Sequence, residues 1–292
     1  MRKLPKRPAD ETEIGAWRAT LHALTGRSIS HFPRVPDPDG SWTTIDDGEL
    51  IDRAAATLKD LSQSDDKLDA VIGHARETLD EVKELTDYED NKATRLLTII
   101  AFLSALTGIL FGKLADLYPL HALFTRAGEV WWHLGLVCLA YSGFAAFAVL
   151  AVCGAMVTFH ALRLRFRYPK PSQDGRAKSF LFYRGILEVQ PGEWARSYLA
   201  ADNRTKLASD IRFRYFQNYV VESYLIAAKV ADKVRYLVPA QSMLANATRI
   251  LVLWLLVYAI TFALVPPVEK GAIAGAVPVT AASAAGPSLP NP

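Results

Sequence analysis

Three apolar runs constrain this chain more than any other feature. Residues 96–112 read LLTIIAFLSALTGILFG, and residues 130–162 read VWWHLGLVCLAYSGFAAFAVLAVCGAMVTFHAL. Neither run contains Asp, Glu, Lys or Arg, and the second carries His133 and His160 near its two ends. Residues 250–266 form a third run, ILVLWLLVYAITFALVP. At ~1.5 Å per helical residue, such runs match the ~30 Å hydrocarbon core of a bilayer. A helix also satisfies its own backbone polar groups in lipid, where water is absent. The sequence therefore predicts an all-α integral membrane protein with three transmembrane helices, over 93–113, 129–162 and 249–266, and helical cytoplasmic segments.

The 51% of hydrophobic residues is ordinary for a soluble protein, but here they are bunched. Polar blocks remain at 1–92 and 163–245, as aqueous or membrane-proximal parts. A net charge of +3 is too small to argue for nucleic-acid binding. Cys138 and Cys153 lie apart on one predicted helix, which excludes a disulfide between them.

Residues 1–45 are broken by Pro5, Pro8, Pro33, Pro36 and Pro38 and read as a flexible arm. Within it, a short amphipathic helix is expected over 11–24, with Ile14, Trp17, Leu21 and Leu24 on one face. Residues 25–46 read as loop or disordered arm. Residues 46–92 read as a helical hairpin or coiled coil. Leu68, Ile72, Ala75, Leu79 and Val82 form its four-three seam, and residues 62–66 a break. The acids of its outer face, among them Asp69, Glu77, Asp80 and Glu84, read as a solvated surface, because no histidine spacing supports metal binding. The helix is expected to run on through Asp90 and Arg95 into the first span.

Ser104, Gly108 and Gly112 recur every fourth residue in that span, and small residues at this spacing let helices approach closely in lipid. Ser142, Ala146 and Gly154 follow a similar register in the second. Both sets predict packing faces, between spans or between the subunits of a homo-oligomer.

After the second span, Arg163, Arg165, Arg167, Lys170, Arg176, Lys178 and Arg184 meet one acid, Asp174. A basic excess marks the cytoplasmic side. The basic start Met1-Arg2-Lys3 is followed by no apolar region, so the N-terminus is expected to stay in the cytoplasm. The predicted topology is a multi-pass inner-membrane protein with a cytoplasmic N-terminus and a cytoplasmic insert over 163–248. The tail, 267–292, is expected to be disordered and extracytoplasmic. In the insert, helices are expected over 179–189, ended by Pro191-Gly192, over 193–201 and over 204–237, with a bend at Pro239. No period-2 alternation predicts a sheet.

No phosphate-binding glycine loop, HExxH, CxxC or GxSxG motif occurs, and no catalytic residues, metal ligands or cofactor are predicted. What remains is a cationic and aromatic cluster on the long insert helix. Arg212, Lys229 and Lys233 are the candidate nucleotide-binding residues, interleaved with Tyr215, Tyr219, Tyr224 and Tyr236. Such a surface suits an anion bearing a base. It equally suits a solvated helix facing anionic headgroups.

Asp90-Asn-Lys-Ala-Thr-Arg-Leu-Leu-Thr-Ile99 opens the first span, and Ser179-Phe-Leu-Phe-Tyr-Arg-Gly-Ile186 follows the second. Residues 210–229, with Gln217-Asn218 and Ile226-Ala-Ala-Lys229, precede the third. In motifs and order this resembles the Pycsar transmembrane effector family of bacterial antiphage systems, with Tyr183-Arg184 where that family has Phe-Gly. The resemblance implies a membrane effector without enzymatic activity. Such an effector senses a cyclic nucleotide in the cytoplasm, in this family a cyclic pyrimidine mononucleotide, and impairs the inner membrane. The alternative is a membrane-anchored scaffold whose cytoplasmic helices bind a partner.

Overall fold

A computed structural model describes residues 14–28, 30–36, 42–58, 67–120, 131–163, 179–187, 189–200 and 205–267. Among them three helices are long and apolar enough to cross a membrane: Leu68–Leu117 (α3), Trp131–Leu162 (α4) and Ile211–Leu264 (α7). They coincide with the three apolar runs, and α3 and α7 extend well beyond them, with 50 and 54 residues. Between Asp87 and Arg95 no glycine or proline stops α3, so the polar helix passes into the apolar one without a break.

The smaller elements are α1 (Ala16–Thr25), β1 (Arg34–Pro36), β2 (Trp42–Thr44), α2 (Asp47–Leu58), α5 (Tyr183–Leu187) and α6 (Pro191–Arg196). Helix α1 ends at Gly26, whose φ of 65° is open to glycine at little cost, and the Gly26 N–H donates to the His22 carbonyl. Pro191 opens α6 rather than ending the element before it, because a proline at the first helical position loses no needed N–H. Strands β1 and β2 pair antiparallel, with Val35 opposite Thr43. The sequence predicted no sheet; three residues per strand are too few to show an alternation.

Pro239 lies inside α7, and the helix continues past it. The ring removes one backbone donor, and helical backbone continues on both sides of it. The structure also changes the reading of 25–46. Its described residues dock on α7 through His31 and Phe32 and contribute Ile45 to a core, rather than forming a free arm.

The contacts divide the chain into two compact units. The first consists of Met1–Ala101 and Leu150–Asn246. One of its cores joins Ala19 of α1, Ala93 of α3, Val157 and Ala161 of α4, and Tyr236, Leu237 and Ala240 of α7. Another joins Ile45 and Leu50 to Val221 and Leu225, so α2 packs on α7. At Gly154 α4 lies close against α7: a methyl group there would come within 2.7 Å of Leu244 Cδ2.

The second unit consists of Phe102–Val149 and Ala247–Pro292. Leu114, Tyr118, Val137, Ala140 and Val265 form its core. Polar groups here bond to the backbone: Trp254 Nε1 donates to the Ala140 carbonyl at 2.7 Å, and Tyr118 Oη to the Val265 carbonyl at 2.8 Å. Phe111 and Phe144 stack with centroids 3.8 Å apart. Gly143 faces Trp254, where a methyl group would lie 3.1 Å from Cδ1. Gly108 and Gly112 face open space, and Ser104 is exposed. Within the described chain, close helix approaches are therefore made by Gly143 and Gly154 on α4, and the stripe on α3 is left uncovered.

Candidate functional site

Helix α7 turns one face of charged residues inward. Lys229, Asp232 and Lys233 stand at spacings of three and four, so the helix itself brings them to one side. All three are buried. Ionised groups are rarely buried unless paired, and each has a partner from the N-terminal third of the chain. Lys229 Nζ lies 3.3 Å from Asp47 Oδ1, at the first residue of α2. Lys233 Nζ donates to both carboxylate oxygens of Asp90, at 2.8 Å each. Asp232 accepts the backbone N–H of His31 at 3.0 Å and of Phe32 at 3.2 Å.

Three segments remote in sequence are thus tied to one turn of α7. Asp47 also sits where a helix favours negative charge, among the unfilled N–H groups of the first turn of α2. Burial raises the Asp232 carboxyl to about 6, against the opposing pull of the His31 and Phe32 N–H groups and of Lys229 and Arg235. At neutral pH it is mainly charged, in balance with the two lysines beside it.

Arg212 is elsewhere. It is exposed and pairs with Asp69 on α3. It precedes Lys229 by 17 residues on the same helix, or ~25 Å at ~1.5 Å per residue. The structure brings Lys229 and Lys233 together and leaves Arg212 apart, so the three do not converge on one phosphate.

The tyrosines are largely committed to packing. Tyr215 lies against Phe180, with centroids 5.3 Å apart, and its hydroxyl is 3.1 Å from that of Tyr198. Burial, with that hydroxyl contact, pushes the Tyr215 phenol up to about 12. Arg214 covers the Phe180 ring at 4.7 Å and donates to the Ser197 carbonyl. Ser179 donates to Glu222 at 2.8 Å, while Asn218 Oδ1 accepts the Phe180 N–H. These bonds fix the Ser179–Ile186 segment on α7. Tyr236 is buried with its hydroxyl 2.9 Å from His22 Nδ1, and Tyr224 is exposed.

Among the described residues, no group of three or more His, Cys, Asp or Glu is placed to hold a metal ion. Sequence reasoning found the lysines and missed their acids. The signal for Asp90 was present, as the first residue of the segment that opens the first span. Nothing in the sequence paired Asp47 with Lys229, because 182 residues separate them.

In comparisons with known proteins, no family model, no curated protein and no solved structure matches this chain.

Proposed function

We propose that this protein is a membrane effector of a bacterial antiphage system. In this reading α3, α4 and α7 cross the inner membrane, with the N-terminus in the cytoplasm. The polar helical part senses a cytoplasmic cyclic nucleotide, and association of the spans into homo-oligomers impairs the membrane. It performs no chemistry and needs no cofactor.

One observation carries the sensing step. Lys229 and Lys233, each held by a carboxylate, lie on the helix that continues into the third apolar run. A phosphate competes with a carboxylate for the same ammonium groups. A nucleotide that bound the opened lysines better than the closed ones would release Asp47 and Asp90, and with them α2 and the polar part of α3, from α7. The membrane part of the reading is supported by large apolar side chains left exposed on all three helices: Phe102 and Ile109, Val149 and Val152, Leu253 and Phe262. Soluble monomers rarely carry apolar surface on this scale.

Calorimetric titration of the detergent-purified protein with cyclic mononucleotides tests the sensing step. Binding at micromolar concentration, weakened by Lys229→Ala, supports it. No heat from any cyclic mononucleotide ends it. A second reading, a membrane-anchored scaffold, is favoured by the burial of both lysines, whose side chains are 9% exposed and already paired. In that reading the ion pairs are purely structural, and the lysine substitutions lower stability without changing any ligand affinity.

A further inference from the structure

Helix α1 is packed inside out for a helix on a water-soluble surface. Its small residues face the protein: Ala19 is fully buried, Thr20 is 5% exposed and Ala23 packs on the same core. Its large apolar residues face away, with Trp17 at 65%, Leu21 at 55% and Leu24 at 61% exposure. Their spacing of four and three puts them on one stripe. In water the burial preference runs the other way, because large apolar side chains gain most from leaving solvent. Small residues inward and large apolar residues outward is the arrangement of a helix between protein and lipid.

The elements that hold α1 mark where the lipid would be. Ala19 and Ala23 share a core with Val157 and Ala161, in the last two turns of apolar α4, and with Ala93, just before the apolar run of α3. The same core takes Ala240 of α7, and Thr20 Oγ1 lies 3.7 Å from Met243 Sδ, both preceding the third apolar run. All three long helices therefore place α1 at the same end of their apolar stretches. Ile99 on α3 and Phe159 on α4, near that end, are also exposed.

The charges agree. Helix α1 contains no acid, and Arg18 lies within it, Arg27 just beyond its cap and Arg163 just beyond α4. Desolvation by burial, with the positive fields of Arg27 and Arg18, holds the His22 imidazole below its usual range. Cations beside a stripe of Trp and Leu suit the boundary between anionic headgroups and acyl chains.

We propose that α1 is an interfacial membrane helix, with Trp17, Leu21 and Leu24 inserted at the headgroup–acyl boundary of a bilayer containing anionic lipid. This rests on the reading that α3, α4 and α7 span the membrane. It gives the N-terminal segment a job distinct from the lysine clasp: α1 ties α7 to the membrane surface through Tyr236 and Ala240.

The test places a spin label at Trp17→Cys, Leu21→Cys or Leu24→Cys, in a Cys138→Ser, Cys153→Ser background. The full chain is reconstituted in phosphatidylcholine–phosphatidylglycerol vesicles. Collision rates are read with oxygen, which concentrates in lipid, and with a water-soluble nickel chelate. Val152→Cys, exposed on apolar α4, is the lipid reference, and Glu77→Cys, exposed on the polar part of α3, the water reference. The proposal expects all three α1 labels to meet oxygen several-fold more than the Glu77→Cys label, at shallower depth than Val152→Cys. Because more than half of each of these residues is exposed, the substitutions remove little packing. Free collision with the chelate, as at Glu77→Cys, overturns the proposal. Protection from both reagents also overturns it, because the stripe is then covered by protein. If the Val152→Cys label itself meets the chelate freely, the spanning reading fails first.

Discussion

Lys233 Nζ reaches both carboxylate oxygens of Asp90 at 2.8 Å, but the two partners are unequally sheltered: the lysine side chain is 9% exposed and the aspartate 39%. The inequality predicts asymmetric mutational costs. Asp90→Ala strands a buried ammonium and should cost about 3 kcal/mol or more, as broken buried pairs do. Lys233→Ala leaves a carboxylate that water can reach, and should cost about half as much. Thermal unfolding of the detergent-solubilised protein, followed by circular dichroism, measures both. Equal losses would mean that the pair is not organised by burial.

Ligand competition at the clasp predicts opposite effects on its two sides. If a cyclic nucleotide binds the lysines, Lys229→Ala or Lys233→Ala should weaken binding roughly ten- to hundredfold, from ~1.5–3 kcal/mol for a charged hydrogen bond. Asp47→Asn should strengthen binding, because the competing carboxylate is gone. Arg212→Ala should change affinity little, since its guanidinium is paired with Asp69 far along the helix. An Arg212 effect larger than those of the lysines would move the site.

Close packing at Gly154 and open space at Gly108 predict a contrast. Gly154→Ala places a methyl group 2.7 Å from Leu244 Cδ2 and should cost on the order of 1–3 kcal/mol of stability, the usual penalty for overpacking. At Gly108 an added Cβ meets nothing within 4 Å, so Gly108→Leu should leave the fold of one chain intact. If the α3 stripe joins subunits, Gly108→Leu will lower crosslinked oligomer while Gly154→Ala lowers melting temperature. Unchanged crosslinking removes the stripe from any interface.

Asp232 predicts the sign of one pH effect. Its carboxyl titrates near 6 when folded, above the ordinary 3.8. Between these values the folded protein holds a proton that the unfolded chain has released, so the contribution of this group grows as pH falls from 7 toward 4 and is lost as pH rises through 6. The full effect is roughly 3 kcal/mol, at about 1.4 kcal/mol for each pH unit of the window. Asp232→Asn keeps an acceptor for the His31 and Phe32 N–H groups and removes the titration. The difference in stability between wild type and this variant should shift in favour of the wild type as pH drops from 7 to 5. A pH-independent difference would refute the assignment.

The membrane topology is tested by fusions. A reporter active only in the cytoplasm should work after Ser172, and one active only outside it should work after Ala281. Silence of either reverses or rearranges the spans.

The three long helices were legible because each rests on local composition. A run of apolar residues with no charge is costly in water whatever the rest of the chain does, and α3, α4 and α7 lie where those runs do. Local signals also found α1 and the cations of α7, but Ile14, read on one face with Trp17, Leu21 and Leu24, is buried in the core while those three are exposed. The same signals misjudged Pro191, because a proline's effect depends on whether its missing N–H was needed, and at the first helical position it is not. Which small residues make close contacts was beyond them. The stripes at Gly108 and Gly154 look alike in sequence, and only the placement of Leu244 and Trp254 on α7 selects the α4 glycines. The buried pairs Lys229–Asp47 and Lys233–Asp90 likewise needed the tertiary structure, since charge attraction has no sequence register and their partners lie 182 and 143 residues apart. Folding chose those partners because burying each lysine on α7 required an acid at that place.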